Sequence, residues 1–344
     1  MSITRRLRQG STLGSIFALA IFAWNIYFFQ SLDSEGNLAS PNTITTILIW
    51  HWPFHKPMNL SGEVCLNIYN IKNCRLTDDR NMFSNSNVVV FHHKELQTVG
   101  HKMPTGPRPS EQLWVWATLE SPTNTKGLEK WNNTFNWTLT YREDSDIFVP
   151  YAKMVPNLIM EWNDTLKTGL VSWVVSNYHQ VQQRAKFYKE LSSYLKVDVF
   201  GKASRKPLGS SDLLQKMSKY YFYLALENSV HKDYITEKLW RNAFLAGAVP
   251  IVLGPPRENY EKFIPPDSFI HVSDFPSPKH LAIFLQTMTP LRYQEFLRWR
   301  QVYGVKLYTD WRERFCMICS KYPSLPKSKV YTDIETWFKS ENIE

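Results

Sequence analysis

Glycine and cysteine are scarce in this chain of 344 residues, and no internal repeat is visible. The chain has 13 glycines and 4 cysteines, while hydrophobic residues make up 43% of it. This composition excludes disordered, collagen-like and low-complexity proteins, and the lack of repeats excludes solenoids and propellers. The length suggests a globular protein with two domains.

Three glycine-based motifs are also missing. No G-x-G-x-x-G follows the first predicted strand of either half, and neither G-x-x-x-x-G-K-[ST] nor G-x-S-x-G occurs. These absences argue against a dinucleotide-dependent oxidoreductase, a P-loop enzyme and an α/β-hydrolase. An α/β nucleotide-binding half without the glycine fingerprint is typical of many sugar-nucleotide enzymes.

Blocks of positive charge are absent as well. The 40 Lys and Arg residues outnumber the 31 Asp and Glu residues, which gives a net charge of +9, but the excess is spread along the chain. A spread excess favours a solvated, mildly basic surface over a nucleic-acid-binding arm. We therefore expect no nucleic-acid partner, whereas small anions such as nucleotides are compatible with the charge.

One long apolar run, residues 13–29, lies near the N-terminus. Three arginines precede it, and it ends in Tyr27, Phe28 and Phe29. The run is at the short end of the about 17 to 25 residues that span a membrane, and its large terminal residues favour a signal anchor over a cleaved signal peptide. We predict a cytoplasmic tail (1–12), a transmembrane helix (13–29), a stem (30–42) and a lumenal remainder.

Sequons and cysteines agree with a lumenal location. The chain carries four Asn-x-Ser/Thr sequons, at Asn59, Asn132, Asn136 and Asn163. In an oxidising compartment we expect disulfides, either between the pairs Cys65/Cys74 and Cys316/Cys319 or within each pair. Cys316-x-x-Cys319 is also half of a redox or zinc motif, but no second C-x-x-C and no histidine cluster accompanies it.

The lumenal part divides into two halves. Short β-rich runs fill the first half, at 43–52, 87–93, 113–119 and 137–142. After a polar stretch at 151–169, strand-like and helical patterns alternate up to residue 288, which predicts βαβ units and a parallel sheet. We therefore predict an α/β protein whose two Rossmann-like domains, 43–160 and 161–344, face a cleft.

The segment 223–254 carries the densest set of polar functional side chains. A strand ends near Glu227, and Thr236 is a good helix N-cap. Glu237 and Lys238 then fall in the first turn of a helix at the carboxyl edge of a parallel sheet, where free N–H groups and the helix dipole favour a bound phosphate. An exposed Glu-Lys pair is the alternative interpretation.

This segment resembles a signature of the Golgi alpha-1,3-fucosyltransferases, glycosyltransferase family 10. It reads ENS at 227–229 and DYITEK at 233–238. Further matches follow the family order along nearly the whole lumenal chain: WHWPF at 50–54, FHH at 91–93, LESP at 119–122 and YREDSD at 141–146. Ala225 and Leu226 depart from the usual Ser-Phe before ENS, a small apolar change that puts packing in question more than activity.

The resemblance implies a GT-B fold and an inverting transfer of L-fucose from GDP-fucose to O3 of N-acetylglucosamine. Inversion in one displacement needs a carboxylate base near the acceptor hydroxyl, and Glu120 in the Glu-Ser-Pro motif is the candidate. Arg184 and Lys238 match the family's phosphate contacts, and their positive charges stabilise the leaving diphosphate. The donor-binding candidates are Arg184, Asn228, Tyr234, Glu237 and Lys238. Tyr234 has an alternative place in the core, with its hydroxyl bonded to backbone.

Aromatic side chains are the acceptor-binding candidates, because rings suit the apolar faces of sugars. These candidates are Trp52, Phe54, His92 and His93, and for each a buried position at a strand end is the alternative. The amino-acid sequences of several motifs are most similar to those of the family members that form sialyl Lewis x. The resemblance thus implies α2,3-sialylated lactosamine glycans as acceptors and a single-pass type II protein of the Golgi membrane. A neutral lactosamine acceptor and a catalytically silent glycan-binding protein are the alternatives.

Asp144-Ser145-Asp146 has the D-x-D pattern that binds metal and diphosphate in the other glycosyltransferase fold. It lies in the predicted acceptor half, far in sequence from the donor-site candidates. Because cationic side chains supply the charge that a metal would bring, we interpret this motif as structural. We expect that no cofactor and no divalent metal is essential.

Overall fold

The computed structural model describes residues 43–98, 102–162 and 165–341. The predicted cytoplasmic tail, membrane helix and stem lie outside these residues. Within the described ranges, no helix is long and apolar enough to cross a membrane. The described chain from Thr45 onward forms one compact unit.

A six-stranded parallel sheet occupies the first half of this unit. Its strands are β1 (Thr45–Ile49), β2 (Cys74–Thr77), β3 (Val88–His92), β4 (Leu113–Ala117), β5 (Trp137–Thr140) and β6 (Ile147–Phe148), in the order β2-β1-β3-β4-β5-β6. Every side chain of β3 is buried, which requires that both faces of the sheet be covered. The four strands predicted in this half are confirmed, and β2 and β6 are additional.

Two short helices and one strand complete this half. They are α1 (Val64–Tyr69), α2 (His93–Leu96) and β7 (Ala152–Pro156). The strand β7 lies in the stretch that the sequence predicts as a polar junction. It pairs antiparallel with residues 303–307, so the junction is an ordered part of the fold.

A five-stranded parallel sheet follows, as the alternating pattern predicts. Its strands are β8 (Gly169–Val174), β9 (Val197–Phe200), β10 (Tyr220–Leu226), β11 (Val249–Leu253) and β12 (Ile270–His271), in the order β12-β11-β10-β8-β9. The helices that follow these strands are α3 (Gln183–Leu191), α4 (Ser210–Met217), α5 (Glu237–Leu239) with a π-helical continuation (Trp240–Leu245), α6 (Arg257–Glu261) and α7 (Pro278–Gln286). The strand β10 is the central strand of this sheet. In such sheets, ligands bind at the carboxyl ends of the strands, between the loops that lead into the helices.

The last part of the chain contains α8 (Pro290–Glu295), β13 (Tyr303–Leu307), α9 (Trp311–Lys321) and α10 (Ile334–Lys339). Of these elements, α8 packs against the second sheet, whereas α9 and α10 return to the first sheet. Phe315 and Ile318 of α9 join the buried cluster of β1 and β3 side chains, and the Phe338 ring of α10 lies 4.9 Å from the Trp116 ring. The predicted division placed all of 161–344 in the second domain, whereas the packing joins these helices to the first sheet.

Two disulfides fix this return. Cys65 bonds Cys316 and Cys74 bonds Cys319, over sequence separations of 251 and 245 residues. Of the three pairings that the sequence leaves open, one that joins the early cysteine pair to the late pair is present. The C-x-x-C cysteines therefore bond away from each other, which removes the redox or zinc interpretation of that motif. Crosslinks that close long loops restrict the unfolded chain most in the chain-entropy account of disulfide stabilisation.

The predicted glycosylation sites differ in accessibility. Asn59 is exposed and Asn132 is half-buried, whereas Asn163 lies outside the described residues. Asn136 is 5% exposed, and its side-chain amide donates to the carbonyl of Lys329 over 2.8 Å. A glycan on this nitrogen would have to occupy the packed interior, so the predicted site at Asn136 conflicts with the fold.

Candidate active site

Two cavities adjoin each other between the carboxyl edges of the two sheets. One, of about 340 Å³, lies at the ends of β8 and β10 and is lined by Arg184; we call it the Arg184 cavity. The other, of about 330 Å³, lies beyond β3 and β4 and is lined by Glu120; we call it the Glu120 cavity. Glu237 and Arg241 line both, so a reactant in one cavity can meet a reactant in the other.

The Arg184 cavity gathers four of the five predicted donor-site residues. They are Arg184, Asn228, Glu237 and Lys238. Two hydrogen bonds hold the Arg184 guanidinium in place: its Nε donates to Gln182 Oε1 over 3.0 Å, and its Nη2 donates to the carbonyl of Asn177. Burial lowers the pKa of Arg184, against the opposing charge of Glu227, yet an arginine stays cationic at neutral pH.

Lys238 supplies a second fixed cation. Its Nζ lies 2.8 Å from Glu227 Oε2, 2.7 Å from Thr236 Oγ1 and 3.6 Å from Glu237 Oε1. Burial disfavours the charged ammonium, but the carboxylates of Glu227 and Glu237 outweigh it and raise the pKa of Lys238 above its usual value. The cavity therefore holds a positive charge that is oriented before any ligand arrives.

Glu227 orients this lysine, a role that the sequence analysis did not assign. It lies just after β10, is 2% exposed, and accepts hydrogen bonds from the Thr236 backbone N–H and hydroxyl, each 2.9 Å long. Thr236 occupies the N-cap position that the sequence predicts for it. Its hydroxyl bonds Glu227 and makes no cap hydrogen bond to the helix backbone.

Glu237 remains an anion beside these cations. Burial favours its neutral form, but the Lys238 charge, together with hydrogen bonds from its own backbone N–H and from Thr236, holds the pKa of Glu237 below its usual value. Its side chain is 44% exposed. A carboxylate therefore stands at the boundary of the two cavities.

Arg241 is a further cation that the sequence analysis missed. It belongs to the π-helical turn that continues α5, and its Nε donates to Asn242 Oδ1 over 3.0 Å. π-helical turns occur frequently at functional sites. The only sequence signal for Arg241 is its spacing, which puts it three residues after Lys238 on the same side of the helix.

Tyr234 lies outside both cavity linings. It is 2% exposed, and its ring centroid lies 5.1 Å from that of Tyr141 and 6.4 Å from that of Tyr151. Burial raises the pKa of Tyr234 well above its usual value, so the phenol is neutral. The ring thus takes the core position that the sequence left as an alternative, and Tyr234 is the one predicted donor-site residue that does not line the Arg184 cavity.

Glu120 stands in the wall of the other cavity, three residues after β4. Its carboxylate is half-buried and accepts one bond of 3.3 Å from the Asn124 side-chain amide. Arg314 lines the same cavity and donates to the carbonyls of Val149, Pro150 and Tyr308. Burial lowers the pKa of Arg314 to about 10.

Phe54 and His92 form an aromatic wall next to Glu120. Phe54 is 49% exposed and adopts a left-handed backbone conformation with φ of 57°, which places its ring centroid 5.3 Å from that of His92. His92 Nδ1 bonds the buried carboxylate of Glu95, and the ring centroid of Trp311 lies 5.0 Å from that of His92. Non-glycine residues at positive φ are strained and cluster at functional sites.

His93 and Trp52, the other predicted acceptor contacts, do not line the cavity. Trp116 Nε1 donates to His93 Nδ1 over 3.0 Å, so His93 Nε2 carries the proton and donates to the carbonyl of Lys126 over 3.1 Å. Burial lowers the pKa of His93 to about 4, which keeps it neutral. Trp52 donates to Asp78 Oδ2 over 2.8 Å. Both residues serve the packing of the first sheet.

The D-x-D carboxylates are engaged by protein groups. Asp144 accepts two bonds, of 2.8 and 2.7 Å, from the Arg142 guanidinium. Asp146 accepts from the Thr138 backbone N–H, from Lys329 Nζ and from the Tyr331 hydroxyl over 2.9, 2.6 and 2.9 Å. Such contacts agree with the structural interpretation of the motif, since the oxygens are already used.

Comparison with known proteins gives consistent matches. The family model for the N-terminal part of fucosyltransferases matches residues 42–152, and the model for the C-terminal part of glycosyltransferase family 10 (fucosyltransferase) matches residues 165–337. Alpha-(1,3)-fucosyltransferase 7 of Mus musculus is 49% identical over 98% of this chain and 86% of its own length. The Homo sapiens protein of that name is 47% identical over 98% of both chains.

A solved structure supports the fold. A crystal structure of an alpha1,3-fucosyltransferase with GDP-fucose superposes with a TM-score of 0.55 at 19% identity, over 86% of this chain and 94% of that one. At this identity the likeness concerns the fold alone. Together with the family models and the long, similar relatives, it leads to one conclusion: the chain belongs to the fucosyltransferases of glycosyltransferase family 10.

Proposed function

We propose that this chain is an inverting alpha-1,3-fucosyltransferase that moves L-fucose from GDP-fucose to O3 of N-acetylglucosamine. The observation that carries the proposal is the pair of adjoining cavities, one lined by the cations Arg184 and Lys238 and one lined by the carboxylate of Glu120, which share Glu237 and Arg241. Relatives at 47–49% identity are named alpha-(1,3)-fucosyltransferase 7.

The cations of the Arg184 cavity act on the leaving group. As the bond from fucose to GDP breaks, negative charge grows on the diphosphate. Arg184 and Lys238 stabilise that charge without reorganising, because hydrogen bonds already hold both side chains. Arg241, on the shared wall, adds a third positive charge next to the transferred sugar.

The carboxylates act on the fucose and on the acceptor. Glu120 accepts the proton of the acceptor hydroxyl as that oxygen attacks the anomeric carbon from the face opposite GDP. Glu237 faces the positive charge that develops on the fucose ring, a role that its lowered pKa permits because the group is ionised at neutral pH.

We propose an α2,3-sialylated lactosamine glycan as the acceptor, with sialyl Lewis x as the product. The support is the likeness to the named relatives and the aromatic wall of Phe54, His92 and Trp311, which suits the apolar face of a sugar. Neutral lactosamine is the alternative acceptor. A silent glycan-binding role is disfavoured, because Glu120, Arg184 and Lys238 all line the cavities.

We further propose that the protein is a single-pass type II protein of the Golgi membrane with its catalytic part in the lumen. The apolar run 13–29 after three arginines supports an anchor of this orientation. The two disulfides support an oxidising compartment.

A transfer assay tests the proposal. The full chain, made in eukaryotic cells and solubilised in mild detergent, is incubated with GDP-fucose and either sialylated or neutral lactosamine, with EDTA present. We expect transfer to the sialylated acceptor, and a fall in kcat on the order of 100- to 10,000-fold for Glu120→Gln. Glu111→Gln, at an exposed carboxylate before β4, is the matched control and keeps full activity.

Each other outcome changes a different part of the proposal. Transfer to neutral acceptor would replace the acceptor but keep the reaction. Transfer that requires manganese would contradict the metal-free mechanism. Full activity of Glu120→Gln would remove the assigned base, and bound GDP-fucose without transfer would make the protein a binder.

A further inference from the structure

Two loops from different sheets meet beside the cavities. One follows β4 and carries Glu120, and the other follows β10 and carries Asn228. Side chains join them at two points: Ser121 Oγ lies 2.6 Å from Ser229 Oγ, and Thr123 Oγ1 lies 2.7 Å from His231 Nε2. We call these four residues the clasp.

The clasp is a regular contact between two stretches. Its partners are two residues apart on each loop, and each pair is separated by 108 positions in sequence. Ser121 precedes the 3-10 turn Pro122–Asn124 and Thr123 lies within it, so the two bonds hold this turn against the other loop at two places. Two bonds fix both the distance and the relative direction of the loops, which a single bond does not.

The C-terminal segment locks the clasp. His231 Nδ1 lies 2.6 Å from Glu341 Oε1, and Glu341 Oε2 accepts the backbone N–H of Lys232 over 3.0 Å. Because Nδ1–H donates to the carboxylate, Nε2 is the acceptor for the Thr123 hydroxyl.

Arg142 holds the segment that carries Glu341. Its Nη1 donates to the carbonyls of Phe338 and Ser340, each over 2.9 Å, and its Nη2 donates to Ser340 Oγ over 3.0 Å. The guanidinium is 2% exposed and is also paired with Asp144. Arg142 follows β5 of the first sheet. Glu341 therefore connects the first sheet with the loop that follows β10 of the second sheet.

The clasp adjoins the proposed chemistry on both sides. Ser121 follows Glu120 directly, and Ser229 Oγ donates to Asn228 Oδ1 over 3.0 Å, within the lining of the Arg184 cavity. We propose that the clasp, locked by Glu341, is a positioning device that sets the Glu120 carboxylate at its working distance from the donor wall. Small errors in such alignment reduce rates strongly. The inference rests on the proposed function.

Substitutions at Thr123 test the clasp without disturbing the core, since this side chain is exposed. In the full, detergent-solubilised chain, Thr123→Val removes the hydroxyl at nearly constant shape, and Thr123→Ser retains it. We expect Thr123→Val to lower kcat about 3- to 10-fold, the value of one hydrogen bond, with the KM for GDP-fucose and the thermal midpoint unchanged. Thr123→Ser keeps the unmodified kcat.

A second pair tests the lock. Glu341→Ala should lower kcat by a similar factor, while Glu341→Gln, which retains an acceptor for His231 Nδ1–H, should restore most of it. Because Thr123 and Glu341 act through the same imidazole, the combined variant Thr123→Val/Glu341→Ala should lose less than the product of the two single losses.

Three results decide the matter. Unchanged kcat in Thr123→Val and Glu341→Ala, with transfer by the unmodified chain intact, overturns the inference alone. Equal losses in Thr123→Val and Thr123→Ser, or losses that follow a lowered thermal midpoint, assign these residues to stability and also overturn it. Absence of transfer by the unmodified chain overturns the proposed function and this inference with it.

Discussion

The Arg184 cavity and the Glu120 cavity have similar volumes but are built in different ways. The first is formed by charges that hold each other in place, with Lys238 between Glu227 and Glu237. The second contains several rings and also Glu237, Arg241 and Arg314, and in it Glu120 accepts a single long hydrogen bond from Asn124. A coupled set of charges supports a leaving anion, whereas rings beside a carboxylate that is held by one hydrogen bond support recognition of a sugar and transfer of its proton.

Removal of Lys238 should have the largest effect, because the charges around it are coupled. We expect Lys238→Met to lower kcat on the order of 1,000-fold and to reduce the free energy of unfolding by about 3 to 5 kcal/mol, since Glu227 is left buried without its cation. Steady-state kinetics and urea unfolding measure the two effects.

A compensating variant separates these two effects. Glu227→Gln/Lys238→Met removes the uncompensated charge and should regain most of the stability but none of the activity. Recovery of activity in this double variant, or full stability of Lys238→Met alone, would contradict the statement that the charges of the Arg184 cavity hold one another in place.

The adjacent histidines give a prediction of intermediate size. His93 is neutral in the fold with a pKa of about 4, below its unfolded value of 6.5. Between these values the unfolded state binds more protons, so the free energy of unfolding falls as pH drops from 6.5 toward 4, by about 3 kcal/mol in total for this residue. His93→Gln should flatten this part of the stability–pH curve.

His92→Gln is the matched variant for the acceptor. His92 lines the Glu120 cavity, so its substitution should raise the KM for the acceptor, whereas His93→Gln should leave this KM unchanged. Urea unfolding of His93→Gln at several pH values, beside acceptor titrations of both variants, tests these expectations. A raised acceptor KM in His93→Gln would show that the two histidines do not divide their roles between cavity and core.

The smallest effect is expected at Phe54. Its ring is half-exposed, so Phe54→Ala should leave stability nearly unchanged and raise the KM for the acceptor about 3- to 10-fold, the value of one aromatic contact, with the KM for GDP-fucose constant. Leu291→Ala, at a remote side chain that is 73% exposed, is the control. An equal rise in both KM values would contradict the assignment of Phe54 to the acceptor alone.

The sequence predicts the Arg184 cavity better than the Glu120 cavity, and the chain path explains why. Asn228, Glu237 and Lys238 lie within one strand–loop–helix unit, so local patterns place them together at a sheet edge. Trp311 and Arg314 reach the Glu120 cavity only because α9 returns to the first sheet, and no local pattern reports that return.

Side-chain direction is the other limit. His92 ends β3 and His93 begins α2, so one ring faces the cavity and the next faces Trp116, although both fit the same motif equally well. Tyr234 lies in a loop, where no periodicity indicates which way a ring points. The choice between the two disulfide pairings likewise depends on tertiary approach, which the spacing of cysteines leaves open.

The disulfides have a consequence for the order of events during synthesis. Cys65 and Cys74 emerge first, but their partners follow 251 and 245 residues later. At about 5 to 20 residues per second, this interval is roughly 12 to 50 seconds. During that time the first sheet lacks the face that α9 covers, and the whole second sheet is synthesised. The domain that begins first is therefore completed last, and its two early thiols must be kept from wrong partners until then.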